Sequence, residues 1–338
     1  MNLSDKQTEA ELKRLENRIR AEYAKAYAEI AEETRKYFAK FRVQDAEMKA
    51  QMLAGQITQD YYYQWRVNHI GMGNQWQQLR DTMAMRMANA DVMAAAYMND
   101  TTPGIYSINY NYSAFELETE AFKIAQKYNM VSTLNFQVLN EKTIRRLMMK
   151  NQLLLPPRQA NIPKALVWNK QKLQSELTTG LLKGESARGI ARRFKTVVGM
   201  DERAAIRNAR TAVTGAQNAG RYESYCDSAA MGFPVSKKWI ATLDSTTRDS
   251  HRKVDGEIVP YDQYFSNDLM YPGDPHGSPK EVYNCRCTMG RVIEGINDRY
   301  DVSRFARDSS NNSAIAQNVT YSGRDGTMSY PEWLKAKG

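Results

Sequence analysis

Between Trp239 and Arg291 the helical periodicity that dominates this chain gives way to short strand-like runs and turns. W-I-A-T-L-D-S-T-T-R-D-S-H-R-K-V-D-G is followed by a loop, by Y-P-G-D-P-H-G and by N-C-R-C. Two of the three histidines (His251, His276) and two of the three cysteines (Cys285, Cys287) lie here. Residues 238–243 alternate in the manner of a strand, and Asp244 stands where an N-cap belongs, ahead of a short helix over 245–253. Asp255-Gly256 predicts a tight turn into a second strand at 257–259. N-C-R-C leads into a third strand at 288–292. Such short strands separated by rigid turns predict a small antiparallel sheet with short helices, not a large sheet.

The remainder of the chain reads as helix. Leu12, Leu15, Ile19, Tyr23, Ala26, Ile30, Tyr37 and Phe41 recur in steps of three and four, one stripe of a long first helix reaching about Arg42. Thr58 is a plausible N-cap for a second helical region, and Asn99, Asp100 and the following Thr-Thr-Pro-Gly read as its stop. Aromatic residues and Met fill it, side chains that suit a core between long helices. The lone His69 reads as a packing residue. I-Y-S-I-N-Y-N-Y at 105–112 alternates apolar with small polar residues, a strand or extended-arm pattern. Helices should follow at 114–128 and 141–150. Pro156, Pro157 and Pro163 suggest a hinge. Beyond it, 166–182 is amphipathic with Gly184 at its end. Ser186 caps a short helix closed by Gly199, and Asp201 caps a long alanine-striped helix to about Ala230. Past Gly295 the composition turns to Asn, Ser, Asp, Arg and Gly with little periodicity, which predicts an extended tail.

The expected fold is therefore α+β and mainly helical. It divides into a helical N-terminal docking region (1–155), a helical lead-in (156–235), a compact α+β module with a short antiparallel sheet (236–295) and an extended polar C-terminal tail (296–338).

Forty-seven Lys and Arg against 38 Asp and Glu leave a formal charge of +9. This favours a polyanionic neighbour or simply keeps the protein soluble. Bases outnumber acids from Leu134 to Arg210, and Arg188, Arg192, Arg193 and Lys195 are the candidate nucleic-acid contacts. No groove-reading motif accompanies them, so non-specific phosphate contact is the expectation. Three cysteines with a single C-x-C make no disulfide framework, which points to a reducing compartment. No apolar run is long enough for a bilayer and the polar N-terminus is no signal peptide, so no membrane partner is expected.

Three readings compete for the chemistry of 239–291. In one, His251, Cys285 and Cys287, with His276 or a carboxylate as fourth ligand, form a tetrahedral zinc site, although C-x-C is not the usual C-x-x-C spacing. In another, Asp244, Arg248, His251 and Asp255 form a structural polar network. There Arg248 and His251 share a helical face with Asp244, Arg248 pairs with a carboxylate, and the cysteines pack as small apolar residues. No cofactor is then required. In the third, Asp244, His251 and Asp255 hold a metal or act as acid and base, as in a nuclease.

The order W-I-A-T-L-D, T-R, H, D-G, Y-P-G-D-P, N-C-R-C resembles the signature of the phage head morphogenesis family, the Mu F-like minor capsid proteins of tailed phages. G-L-L-K-G-E-S-A-R-G-I-A-R-R-F and A-R-T-A-V-T-G-A-Q-N-A-G-R resemble that family's helical lead-in, so the likeness covers about 166–291. It implies a structural, non-catalytic virion protein, assembled in the host cytoplasm and held inside the capsid near the portal vertex. The implied partners are the portal protein, the major capsid or scaffolding protein and packaged double-stranded DNA. Relatives that carry a toxin or enzymatic domain place it after this module, and none is expected here. A metal-dependent nuclease or other DNA-acting enzyme is the alternative.

Overall fold

The computed structural model describes residues 2–150, 156–293, 306–308 and 328–337. In chain order the elements are α1 (Leu3–Leu53), α2 (Gln59–Ile70), α3 (Asn74–Lys127), β1 (Met130–Ser132), α4 (Glu141–Lys150), α5 (Ile162–Leu182), α6 (Ala187–Ala230), β2 (Ser236–Ile240), α7 (Asp249–Lys253), β3 (Ile258–Pro260), α8 (Pro279–Val282), β4 (Thr288–Val292), β5 (Ala306–Asp308) and α9 (Tyr330–Lys337). The fold is mainly helical α+β. Among the described residues no helix is long and apolar enough to cross a membrane.

Two compact units form, one from residues 14–98 and 158–207, the other from 1–13, 99–157 and 208–338. The first is all helix. Leu15, Ile19, Tyr23, Ala26, Ile30 and Tyr37, the stripe read from the sequence, are buried. Trp76 stacks on Phe194 and meets the Tyr37 ring at a tilt, and its indole N–H donates to Gln174 Oε1. Thr58 caps α2 by accepting from Tyr61 N. Arg66, 2% exposed, donates to the carbonyls of Leu181 and Glu185 and pairs with Asp45. It thereby ties α2 to the end of α5, joining Gly184 N on the Leu181 carbonyl and adding a donor to the Glu185 carbonyl just past the helix.

The second unit holds the sheet, ordered β3-β2-β4 and antiparallel throughout, with Lys237 opposite both Val259 and Arg291. β1 pairs separately with β5.

Several expectations are corrected. α1 runs past Arg42 to Leu53. The stop at Asn99–Gly104 and the strand at 105–112 do not exist, because α3 passes through both with Pro103 inside it. Ser107, Asn109 and Asn111 are all buried, and Ser107 and Asn111 bond to the Leu139 backbone while Asn109 bonds Thr8. A helix buried around most of its girth loses its polar face, and satisfied small polar residues then mimic strand alternation. Gly199 and Asp201 likewise do not divide α6, which is continuous from Ala187. The C-terminal tail is not wholly extended. β5 and α9 are ordered elements, and Trp333 of α9 is buried with its indole N–H on Glu118. Other residues of the predicted tail lie outside those described.

Candidate functional site

The irregular segments of the module are gathered on one face of α6. Residues 211, 214, 215, 218 and 221 recur at helical spacing, so they line a single stripe. Thr211 Oγ1 accepts from Asn284 N at 2.7 Å, and Thr214 Oγ1 donates to Cys285 O at 2.8 Å. Asn218 is fully buried. Its amide nitrogen donates to Pro272 O and Cys287 O, and its amide oxygen accepts from Met289 N and Thr288 Oγ1. One side chain thus joins the Y-P-G-D-P loop to the N-C-R-C strand. Arg221 adds bonds to Thr288 Oγ1, Met289 O, Ser4 Oγ and Asp5. Gly273, at φ +83, lets the loop backbone rest on Gly215, where a Cβ would fall 2.9 Å from the Gly215 nitrogen. Asp274 closes the loop by accepting from Met270 N and His276 N.

On this platform a core forms from Trp239, Val254, Phe265, Leu269, Val282, Cys285 and Cys287. Asn284 takes the left-handed conformation (φ 56) that turns the chain into N-C-R-C, a conformation Asn tolerates better than most residues. His251 of α7 lies 2% exposed against Trp239 in an edge-on contact. Its Nδ1 is 3.7 Å from Cys285 Sγ and 3.3 Å from Cys287 Sγ. Its Nε2 is 3.1 Å from Glu281 Oε2, within ion-pair range but poorly aligned for a hydrogen bond. Ser250 Oγ donates to the same carboxylate oxygen at 2.7 Å. The hydrogen bond with Cys285, and after it the one from His251, hold the Cys287 thiol below the usual range, while the same contact and burial raise Cys285.

The predicted site residues are only partly brought together. His251, Cys285 and Cys287 converge, with their ligand atoms within 4.8 Å of one another. His276 does not join them: its side chain is 60% exposed and turned to Asp274. Asp244, Arg248, His251 and Asp255 do not bond to one another. Instead Asp244, Arg248 and Asp255 each hold a different piece of backbone around the same core, while His251 faces the two cysteine sulfurs and Glu281. α7 begins at Asp249 with Arg248 as its N-cap, so Asp244 lies in the turn before it rather than at its N-cap. Asp244 accepts from Thr246 N and pairs with Arg286, whose guanidinium pulls the carboxyl well below its ordinary range. Arg248 finds the carbonyls of Glu281 and Tyr283 rather than a carboxylate. Asp255 accepts from Ala241 N. The catalytic arrangement of Asp244, His251 and Asp255 is therefore not formed. Asn218, Glu281 and Arg286 were not singled out from the sequence. Only the presence of Asn218 within the T-G-A-Q-N-A-G-R run hinted at its part.

Of the basic candidates, Arg193 is committed to Glu176 and Glu185. Arg188, Arg192 and Lys195 are exposed, Lys195 with its ammonium over the Tyr27 ring.

Residues 171–290 match the family described as Phage Mu protein F like protein. Among curated proteins the chain is 32% identical over 167 residues to the minor head protein GP7 of Bacillus phage SPP1, 48% of this chain and 49% of that protein. It is 33% identical over 128 residues to the NAD(+)–arginine ADP-ribosyltransferase EFV of Enterococcus faecalis, 37% of this chain and 26% of that protein. It is 30% identical over 129 residues to the uncharacterized protein YqbB of Bacillus subtilis, 36% of this chain and 41% of that protein. The matches thus span between a quarter and a half of these relatives' own lengths. No solved structure matches the chain.

Proposed function

We propose, from the match of residues 171–290 to the Phage Mu protein F like family, that this chain is a minor head protein of a tailed phage that docks on the portal inside the capsid and assists head assembly, DNA packaging or ejection. The observation that carries the reading is the likeness to the SPP1 minor head protein, which reaches beyond the length of the module itself. The physical character of the chain agrees with it. Long helices offer docking faces, the module is held by backbone anchoring rather than by a substrate cleft, and exposed Arg188, Arg192 and Lys195 can lie against phosphates.

The role is structural rather than enzymatic. Cys285, Cys287 and His251, the residues best suited to covalent chemistry, are 1%, 3% and 2% exposed, so a substrate cannot reach them. The nuclease alternative loses its acid–base set, since Asp244 and Asp255 are spent on Arg286 and Ala241 N. The transferase activity named for the Enterococcus faecalis relative belongs to a protein of which the match covers about a quarter.

Co-expression with the portal protein of the same genome, followed by size exclusion with light scattering, tests the proposal. Co-elution with the portal ring is the expected result. Clean separation at both low and moderate salt would overturn the portal assignment.

A further inference from the structure

The triad of His251, Cys285 and Cys287 is not used by the head-protein reading, and its geometry calls for an occupant. We propose that His251 Nδ1, Cys285 Sγ and Cys287 Sγ bind one zinc ion that staples α7 to the N-C-R-C segment, with Glu281 steadying the imidazole from its other nitrogen.

Four observations carry this. First, ideal zinc bonds to sulfur and imidazole nitrogen at tetrahedral angles place S and N about 3.6 Å apart. The observed Nδ1 to Sγ separations are 3.7 and 3.3 Å. Second, the two ring nitrogens have divided duties: Nδ1 faces the sulfurs, and Nε2, buried without an aligned hydrogen bond, lies 3.1 Å from the Glu281 carboxylate, which a small turn of the ring would engage. A histidine ligand oriented by a carboxylate on its far nitrogen is the recurrent outer arrangement of zinc sites. Third, the backbone N–H of Cys287 donates to Cys285 Sγ at 3.4 Å, a bond that stabilises a thiolate. Fourth, both sulfurs belong to the same apolar core cluster. Thiolate charge in such surroundings needs a cation beside it. Soft sulfur with imidazole selects zinc over magnesium or calcium. Among the described residues no other His, Cys or carboxylate joins the group, so His251, Cys285 and Cys287 are the three ligands proposed. Zinc uptake displaces the thiol protons, so affinity weakens as pH falls.

A metal-free alternative exists in which the same atoms share S–H···N hydrogen bonds. The two are separated by elemental analysis of the full chain, expressed with zinc in the medium and desalted, and by cobalt titration of the metal-stripped protein. One zinc per chain and a thiolate-to-cobalt charge-transfer band are expected. Cys285→Ser and Cys287→Ser should each lose the metal, and Cys226→Ser should keep it. Because the serine variants disturb a buried core, Glu281→Gln provides a second reading. It should retain zinc but release it to a competing chelator about 10- to 100-fold more readily. Folded wild-type protein without zinc, unchanged in melting temperature on adding it and silent with cobalt, would overturn the proposal. So would zinc that persists when both cysteines are replaced.

Discussion

Replacing Asn218 with Ala would strip hydrogen-bond partners from Pro272 O, Cys287 O and Met289 N in a site that water does not reach. Each stranded buried group costs on the order of 1–3 kcal/mol. We expect Asn218→Ala to lower unfolding free energy by about 3 kcal/mol in denaturant titration, more than Ala at exposed neighbours of the helix. Asp201 illustrates a different residue-scale effect. Its place in the sequence predicts a cap, but it lies inside α6, where burial and then the nearby Asp91 push its carboxyl up to about 7. Its folded pKa exceeds the unfolded value, so the native state binds the extra proton. Stability from this group is fully present below about pH 4 and is lost as pH rises toward 7. Asp201→Asn should therefore raise the melting temperature at pH 7.5 and have little effect near pH 4. Partial exposure keeps the gain to roughly 2 kcal/mol. A gain of equal size at both pH values would contradict the assignment.

Helix α6 behaves differently along its length although one periodic stripe runs through it. Gly220 packs so closely on α3 that a Cβ would collide with the Tyr106 carbonyl oxygen. Gly199 meets only the end of the flexible Arg203 side chain, at ordinary contact distance. Alanine favours helix over glycine by about 1 kcal/mol. Gly199→Ala should thus stabilise by up to about 1 kcal/mol, while Gly220→Ala should destabilise by about 2 kcal/mol or more through backbone displacement. Thermal unfolding of the pair checks the opposite signs. α3 carries the complementary lesson. Pro103 removes a donor and ordinarily costs about 3 kcal/mol inside a helix. The helix survives because Thr102, Ile105, Tyr106, Asn109 and Tyr110 around it are buried and tied into the fold. Helix propensity is a weak prior against that much packing.

At the scale of the whole molecule, the compact units draw on separated stretches of chain, and α1, α3 and α6 each contribute residues to both. The basic character is also redistributed by folding. Of the four residues proposed to meet nucleic acid, Arg193 is neutralised by two carboxylates, which leaves Arg188, Arg192 and Lys195. Each phosphate neutralised contributes about 0.9 to the slope of log affinity against log salt. Replacing these three together should lower that slope for duplex DNA by about 2 to 3, without altering the melting temperature by more than a degree or two. Replacing Arg193 should instead destabilise the fold. An unchanged slope would assign the exposed bases to a protein partner.

Local chemistry made much of this protein legible in one dimension. The buried stripe of α1, the Thr58 cap, the bounds of α4 and the short strands near 238, 258 and 288 follow from periodicity and turn residues that act within a few positions. The family likeness rested on the same local motifs. What folding alone decided was non-local. Whether His276 or Glu281 would stand beside His251 depended on how a turn-rich loop closed over Asp274 and where α8 came to rest. Whether 105–112 was strand or helix depended on polar partners at Leu139 and Thr8, far away in sequence. Hydrogen bonds of that reach, and the packing that enforces them, leave no periodic trace in the chain that makes them.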